Sequence, residues 1–354
     1  MDLPPAPNGL SNRWNLGLHW GICSGPNCHI RNNLLKCGAC RVILYCGTSH
    51  QKADQARHKS SCDIIKNASA ELVQAEHDMR ARPGDAYMPE NPFETARGQF
   101  WFWKPTRPYM QKRFELTSAL LNTRTGDAVE AALEHSLEML HLNPGDNQSV
   151  RSQVPGLYLR LGRDQEAYDF IKWYNTIGSA AGYEWGNPES PFLNLHDENV
   201  FEGVNACNRI GIDLSHLAYL TSLKVRLLLD LQMLEKQSKK PSNRNADYDK
   251  KMEWIREDAI SDVLYKRRDI VERSDWADLI ADLNNQLKKL IKHVEERYKH
   301  YWPALKSPGR WAAAIPILYA LGSPEEISLA FRQTRYCWAE CPSALEFVKT
   351  QTST

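Results

Sequence analysis

The chain has 354 residues, with 44 lysines and arginines against 43 aspartates and glutamates, and 42% of its residues are hydrophobic. These values lie near the averages of globular proteins, which excludes a collagen-like, low-complexity or largely disordered chain. The net charge of +1 excludes a global attraction to nucleic acid or to an anionic membrane, so any such contact must come from a local patch. The length favours two or three folding units.

The N-terminal segment, residues 1–19, lacks the basic and apolar stretches of a secretory signal. No later apolar run is long enough to predict a membrane span. We therefore expect an intracellular protein, in the cytoplasm or the nucleus. In such a reducing compartment, clustered cysteines bind metal more often than they form disulfides.

Six of the nine cysteines lie between residues 23 and 62, where an even spread would place about one. Two histidines of the same segment each stand four positions from a cysteine. The eight residues are Cys23, Cys28, Cys37, Cys40, Cys46, His50, His58 and Cys62. Thiolate and imidazole are the tetrahedral ligands of structural zinc, so this set predicts two Zn²⁺ ions as the cofactors of the chain.

The spacing of these residues also predicts local structure. Cys37-Gly-Ala-Cys40 is typical of a zinc knuckle, and Val42–Tyr45 reads as a strand of a small hairpin. Cys46/His50 and His58/Cys62 each place two ligands on one face of a short helix. A disulfide framework or a thioredoxin-like redox pair at Cys37 and Cys40 is the alternative, but the latter requires a βαβ context that is absent. Spacing alone allows the eight ligands to be shared between the ions sequentially or in an interleaved way.

The motifs Tyr45-Cys46, His50-Gln51 and His58-Lys59-x2-Cys62, together with Asp54, resemble a MYND-type zinc finger. The resemblance covers residues 20–64 and implies an interleaved arrangement. It assigns one zinc to Cys23, Cys28, Cys46 and His50, and the other to Cys37, Cys40, His58 and Cys62. Two positions depart from the family pattern: His50 stands where Cys is usual, and Gln55 follows Asp54 where Trp is usual.

The resemblance also implies a kind of partner, because MYND fingers dock short Pro-containing peptides in an extended conformation. Such docking adds a strand to the main chain and uses pockets for alternate side chains. On this sequence the corresponding surface is the predicted strand and the start of the helix after it. The candidate partner-binding residues are Val42, Leu44, Gln51, Lys52 and Gln55.

Six basic residues and one acidic residue, Asp54, are the charged residues between positions 23 and 62. They could form a patch for nucleic acid or for an acidic partner. They could instead neutralise the zinc sites, since three thiolates outweigh one dication. We favour the second interpretation because the segment offers neither a recognition helix nor aromatic side chains placed for base stacking.

Residues 65–107 predict a linker that starts with a short helical stretch and continues through several prolines. It carries an aromatic anchor, residues 100–103, which we expect to dock on the following domain. Residues 108–354 predict an α-helical domain. Gly126-Asp127-Ala128 and Gly162-Arg163-Asp164 recur 36 positions apart, which resembles a degenerate tetratricopeptide repeat. In this pattern we expect Pro155 to kink its helix.

Three further helices are predicted towards the C-terminal end. Asp213 is expected to cap a fully buried helix that runs to Leu234. An amphipathic outer helix follows Ser274. After Ser323-Pro324, the last helix carries two buried cysteines, Cys337 and Cys341.

The fold class predicted is therefore a small two-zinc MYND finger, with a β-hairpin and short helices, followed by an all-α domain of helical-repeat character. This combination resembles a group of fungal proteins. We expect an adaptor that uses the finger as a peptide-docking platform, without catalytic residues or a small-molecule substrate. The alternatives are a SET-like protein lysine methyltransferase, whose Asn-His pair and Gly-rich segment are not found, and a nucleic-acid-binding regulator.

Overall fold

The structure is a computed structural model that describes residues 18, 20–204, 213–313, 316 and 318–352. Within this part of the chain, no helix combines the length and the apolar character needed to cross a membrane. The chain divides into two compact units. The described residues of the first are 18, 20–157 and 180–192, and those of the second are 158–179 and the described residues from 193 onward. The predicted N-terminal segment lies outside the described residues except for Leu18.

The first unit begins with the hairpin of the finger. Strand β1 (Leu35–Lys36) pairs with strand β2 (Leu44–Tyr45) in antiparallel register, with Leu35 opposite Tyr45 and Lys36 opposite Leu44. Each strand is only two residues long, too short to be stable by itself in water. The hairpin must therefore be held from outside, by the ligand residues on either side of it.

A single long helix, α1 (Thr48–Ala81), follows the hairpin. The sequence predicted short helices in the finger and a further short helical stretch at the start of residues 65–107, whereas the structure joins them into one continuous helix. The buried residues of α1 form one continuous stripe with helical spacing, from Asp54 and His58 through Cys62 and Ile65 to Leu72 and Met79. The apolar second half of this stripe packs against a later helix, α3 (Arg107–Leu121). This packing explains why the helix continues beyond the last zinc ligand.

The rest of the first unit leads from α1 to a helix pair. It contains α2 (Pro92–Thr95), a 3-10 turn (Lys104–Thr106), α3 and α4 (Gly126–Leu142), and α3 packs against both α1 and α4. The aromatic anchor is only partly docked. Phe100 is fully buried against Phe93 and Tyr109, with ring centroids 5.4 and 6.0 Å away, whereas Phe102 remains 70% exposed.

The regular secondary structure of the second unit is helical throughout its described residues and is centred on α7 (Leu214–Ser238). Helix α5 (Val154–Arg160) crosses the division between the units. The remaining helices are α6 (Asp164–Asn175), α8 (Tyr248–Asp258), α9 (Val263–Lys266), α10 (Arg268–Val271), α11 (Ala277–Arg297), α12 (Tyr301–Lys306), α13 (Gly309–Ala313), α14 (Pro324–Ala339) and α15 (Pro342–Gln351). Helix α7 is buried on nearly all sides and contacts α6, α8, α11, α14 and α15. Asp213 caps it, since the Asp213 carboxylate accepts a hydrogen bond of 2.7 Å from the amide of Ser215.

Several details of the helical prediction need correction. The last helix is in fact two helices, α14 and α15. The chain bends at Cys341, which directly precedes Pro342. The helical conformation is disfavoured for a residue that precedes a proline. Pro155 does not kink α5, because it lies in the first turn, where no backbone hydrogen bond is lost.

The two glycines of the predicted repeat occupy unlike positions. Gly126 is the first residue of α4, whereas Gly162 lies after α5 with φ of 68°, in the left-handed region. A repeat places equivalent residues at equivalent positions, so this pair does not support the repeat. The tetratricopeptide-like character of the helices stays a prediction.

The division between the units also differs from the predicted boundary at residue 108. The finger, α1, α3 and α4 belong to one compact unit. Thr125, the cap of α4, donates a hydrogen bond of 2.7 Å from its hydroxyl to the carbonyl of Val42 in the finger. Next to it, the Lys36 ammonium lies 3.0 Å from the Asp127 carboxylate. The finger is thus in direct contact with α4 of the same unit.

Gly126 provides a third contact with α4, because it packs against Trp20, which lies just before the first ligand of the finger. A Cβ atom at this position would lie 1.3 Å from the Trp20 ring, so the indole occupies the space above the glycine. Alanine favours a helix over glycine by about 1 kcal/mol, but it would have to expel this ring. Because overpacking costs about 1–3 kcal/mol, packing should outweigh propensity here.

We predict that Gly126→Ala lowers the free energy of unfolding by about 1–3 kcal/mol, through displacement of Trp20. Urea denaturation with far-ultraviolet circular dichroism measures this change. Gly145→Ala is the matched control, since no atom lies within 4 Å of the position that its Cβ would take and its stability should change by less than about 0.5 kcal/mol. A Gly126→Ala protein as stable as the wild type would contradict a stabilising role for the contact between Trp20 and Gly126.

Candidate metal centre

The structure gathers the eight predicted ligands into two groups. Cys23, Cys28, Cys46 and His50 form one, and Cys37, Cys40, His58 and Cys62 form the other, with the ligand atoms of each within 4.8 Å of one another. The grouping is interleaved, as the resemblance implied, and not sequential. These are the groups of three or more potential metal ligands that the described part of the chain contains.

The distances within each group fit a tetrahedral zinc ion. Zn–S bonds of about 2.3 Å and Zn–N bonds of about 2.0–2.1 Å give tetrahedral edges of about 3.8 Å between sulfurs and about 3.5 Å between sulfur and nitrogen. The Cys28–Cys46 and Cys37–Cys62 sulfur pairs are each 3.8 Å apart. Cys23 Sγ lies 3.5 Å from His50 Nδ1, and Cys40 Sγ lies 3.5 Å from His58 Nε2. One edge, from Cys46 Sγ to His50 Nδ1, is shorter at 3.0 Å.

The donor set therefore fits two Zn²⁺ ions, each held by three thiolates and one imidazole. Four protein ligands fill the tetrahedron and leave no position for water or substrate. Zinc held in this way supplies folding energy rather than Lewis-acid chemistry. Each site keeps a net charge of about −1, which the basic residues of the finger offset.

Local structure aims the ligands. In the first site, the amides of Gly25 and Cys46 donate to Cys23 Sγ at 3.4 and 3.3 Å. In the second, the amide of Arg41 closes the knuckle turn on the carbonyl of Cys37 at 2.9 Å. Helix α1 places His58 and Cys62 one turn apart on its buried face, where both reach the second ion.

A polar network outside the ligands fixes the start of α1 against β2. The buried Tyr45 hydroxyl donates to Asp54 Oδ2 at 2.7 Å, and Arg57 Nε donates to Asp54 Oδ1 at 2.6 Å. Arg57 also donates to the carbonyl of Ser24 at 3.2 Å, in the loop of the first site. Asp54, the only acidic residue between positions 23 and 62, thus holds strand, helix and loop together.

The thiols of each site have opposite tendencies to ionise. Burial would raise the pKa of Cys37, but the amides of Cys40 and Ala39 lower it to about 6. Burial would likewise raise the pKa of Cys23, but the amides of Cys46 and Gly25 lower this pKa to about 7. Burial and neighbouring thiols raise the pKa of Cys62 to about 12 and that of Cys46 to about 11. Like charges this close do not ionise together unless a cation neutralises them.

Sequence reasoning missed residues that make room for the site. A Cβ on Gly25 would lie 2.5 Å from that of His50, so this glycine lets the imidazole stand where the family usually has a smaller Cys. Trp20 and Thr125 fix the finger from outside the motif. A glycine between two ligands is a signal that the sequence offered, whereas nothing in it linked Thr125 to residue 42.

The candidate partner-binding residues are not equally available. Val42 is buried, with 5% of its surface exposed, so its side chain is not open to a partner. Leu44 and Gln51 are half-buried, whereas Lys52 and Gln55 are exposed. His29, adjacent to the ligand Cys28, is exposed and belongs to neither group.

Comparison with known proteins agrees with this geometry. Residues 23–62 match the family model of the MYND finger. Among curated proteins, the Arabidopsis thaliana protein "Histone-lysine N-methyltransferase ASHR1" is 41% identical over 49 residues, which are 14% of this chain and 10% of that protein. The chain therefore aligns with about a tenth of the length of this relative. No solved structure matches the chain. The protein thus carries a MYND zinc finger, a zinc-binding module of protein interaction, on a helical body.

We predict that Cys37→Ser lowers the zinc content from two ions per chain to one or fewer, because it removes a thiolate of the second site. Inductively coupled plasma mass spectrometry on the purified chain measures the content. His29→Ala is the control and should retain both ions, since His29 lies outside the two groups. Two bound ions in Cys37→Ser would contradict the assignment.

We also predict that zinc binding releases protons and weakens on acidification. Burial and neighbouring thiols raise the pKa of Cys46 and Cys62, so both thiols hold their protons at neutral pH and must lose them to Zn²⁺. The apparent affinity should fall about ten-fold per released proton for each pH unit of acidification. Titration of the metal-free chain with zinc in weakly buffered solution, at pH 7.5 and pH 6, measures both effects. Binding that does not depend on pH would refute this account.

Proposed function

We propose that the chain is an adaptor whose zinc finger docks a segment of another protein and whose helical body acts as the scaffold. The observation that carries this proposal is the closed coordination of both sites, each with four protein ligands. A metal without an open position cannot bind or activate a substrate, so the finger contributes a rigid surface. MYND fingers in general serve protein interaction.

The surface proposed for docking is formed by Leu44, Gln51, Lys52 and Gln55. Lys52 follows Gln51 directly on α1, Gln55 lies about one turn further on, and both present polar groups to solvent. An exposed polar helix end beside a half-buried leucine can bind a short extended segment through side chains. Pro-containing peptides are the ligands that the family resemblance favours.

The main chain of β2 is not open to strand addition at Leu44. Its carbonyl already accepts a hydrogen bond of 2.8 Å from the amide of Ser24, and β1 occupies the other edge. A peptide that pairs as a strand would therefore have to use the outer edge of β1, where Leu35 is 62% exposed. We accordingly assign recognition at the α1 surface to side chains.

The alternatives lead to different observations. The name of the ASHR1 relative suggests lysine methyl transfer, but the similarity covers the finger region and a tenth of that protein. We propose that the chain is not an enzyme, and methyl transfer to lysine peptides by the purified chain would favour the alternative. A nucleic-acid regulator would bind DNA or RNA with a steep dependence on salt.

We predict that Gln51→Ala/Lys52→Ala weakens binding of Pro-containing peptides about ten-fold or more, the loss of roughly 1.4 kcal/mol. An array of such peptides is probed with the zinc-loaded full chain, and fluorescence anisotropy then gives the dissociation constants. Lys66→Ala, an exposed substitution on α1 beyond the ligands, is the control. Zinc content should stay at two ions in both variants. Unchanged peptide binding would remove this surface from the proposal.

A further inference from the structure

A groove of about 290 Å³ lies between the zinc knuckle and the helices α1, α3 and α4, all within the first unit. It is separate from the docking surface proposed above. Its apolar lining comes from four buried side chains of the finger, α1 and α3. They are Val42, Ile65, Leu116 and Leu120. A volume of this size approaches the lower end of known ligand pockets.

The walls of the groove carry opposite charges. The knuckle wall presents Arg41, and the α4 wall presents Glu134. Both residues are exposed, and in the part of the chain that the structure describes neither has an ion-pair partner. Lys36 and Asp127 also line the groove but pair with each other at 3.0 Å. Glu130 also lines the α4 wall. The knuckle wall is thus basic and the α4 wall acidic, on either side of one apolar lining.

The backbone at Arg41 adds a second observation. Arg41 has φ of 61°, in the left-handed region that favours glycine and that costs other residues on the order of 1–3 kcal/mol. The amide of Arg41 makes the knuckle hydrogen bond, which a glycine would make equally well. The turn itself does not require an arginine side chain, and this side chain lines the groove.

The α4 wall is suited to an approaching chain. Ala131, one helical turn from Glu134, is small and leaves the groove open between the charges. His135 also lines it, and burial together with Arg113 lowers the pKa of His135 to about 4. The imidazole is therefore uncharged at neutral pH and does not offset the carboxylate of Glu134.

We propose that this groove binds an extended segment of a partner protein in which an apolar side chain is flanked by an acidic residue, facing Arg41, and a basic residue, facing Glu134. The apolar side chain fills the space over Leu116 and Leu120. The flanking charges select the sequence and the direction of the bound segment, since like charges on either wall would repel it. The finger thereby acts as one wall of a composite site as well as a docking surface of its own.

The test uses short random peptides displayed on phage and selected on the zinc-loaded full chain. The peptides enriched on wild type should carry an apolar residue between opposite charges. Ala131→Leu fills the groove and should weaken the binding of these peptides about ten-fold or more, as measured by fluorescence anisotropy. Glu134→Gln, a milder change at an exposed position, should weaken the binding of these peptides several-fold. Zinc content and the urea midpoint of both variants show whether the fold is intact.

The charge pattern has its own test in the exchanged double variant, Arg41→Glu/Glu134→Arg. It should lose the wild-type peptides and select peptides of reversed polarity. The proposal would be overturned if the enriched peptides bound Ala131→Leu or the exchanged variant as tightly as they bind wild type. A selection that recovers no groove-dependent peptide would overturn it as well. Gln51→Ala/Lys52→Ala should leave these peptides bound. Loss of binding in that variant would overturn the groove while it supports the docking surface on α1.

Discussion

The structure of the first unit depends on the coordination of two zinc ions by interleaved ligands. Along the chain, ligand pairs alternate between the ions: residues 23 and 28, then 37 and 40, then 46 and 50, then 58 and 62. Each ion therefore closes a loop around the ligands of the other. Strands of two residues and a segment with few buried apolar side chains supply little stability of their own. Apparent binding energies of about 10–16 kcal/mol per structural zinc are large enough to replace the missing core.

The zinc sites also determine where α1 begins. His50, His58 and Cys62 fix its first four turns to the two ions, and Asp54 on the same side is held by Tyr45 and Arg57. From Ile65 onward the same stripe is apolar and packs on α3. One helix thus passes from metal coordination to a conventional core without a break. The orientation of the finger on the helices follows from the rigidity of this single element.

The contacts between the finger and α4 differ in weight. The Lys36–Asp127 pair contributes little, because the lysine side chain is 57% exposed and surface pairs contribute about 0–1 kcal/mol. The hydroxyl of Thr125 both caps α4 and donates to the buried carbonyl of Val42, so it satisfies two backbone groups at once. The Trp20 ring fills the space over Gly126, so the third contact is one of apolar packing. Packing and backbone satisfaction, rather than surface charge, therefore hold the finger in place.

How much the sequence could predict depended on the range of the interactions. The ligands, the knuckle and the cap at Asp213 are local patterns, and each could be recognised within a few residues. The full length of α1 could not be predicted in this way, because residues 65–81 pack against α3, about 40 residues further on. The same holds for the buried Arg160–Glu340 pair, bonded at 2.9 Å across 180 residues. A local likeness can also join unlike positions: Gly126 begins α4, whereas Gly162 follows α5 in the left-handed region.

Closed coordination removes chemistry from the metal and leaves function to the surfaces that the metal shapes. The residues Cys40, Arg41 and Val42 line the groove against α3 and α4, and Cys40 is a ligand of the second ion. Without that ion the knuckle turn has no fixed geometry, and the groove loses the wall that carries Arg41. The proposed docking surface on α1 depends on the same ion through His58 and Cys62. Both surfaces therefore require zinc for their shape, although a partner bound at either surface would not contact the metal.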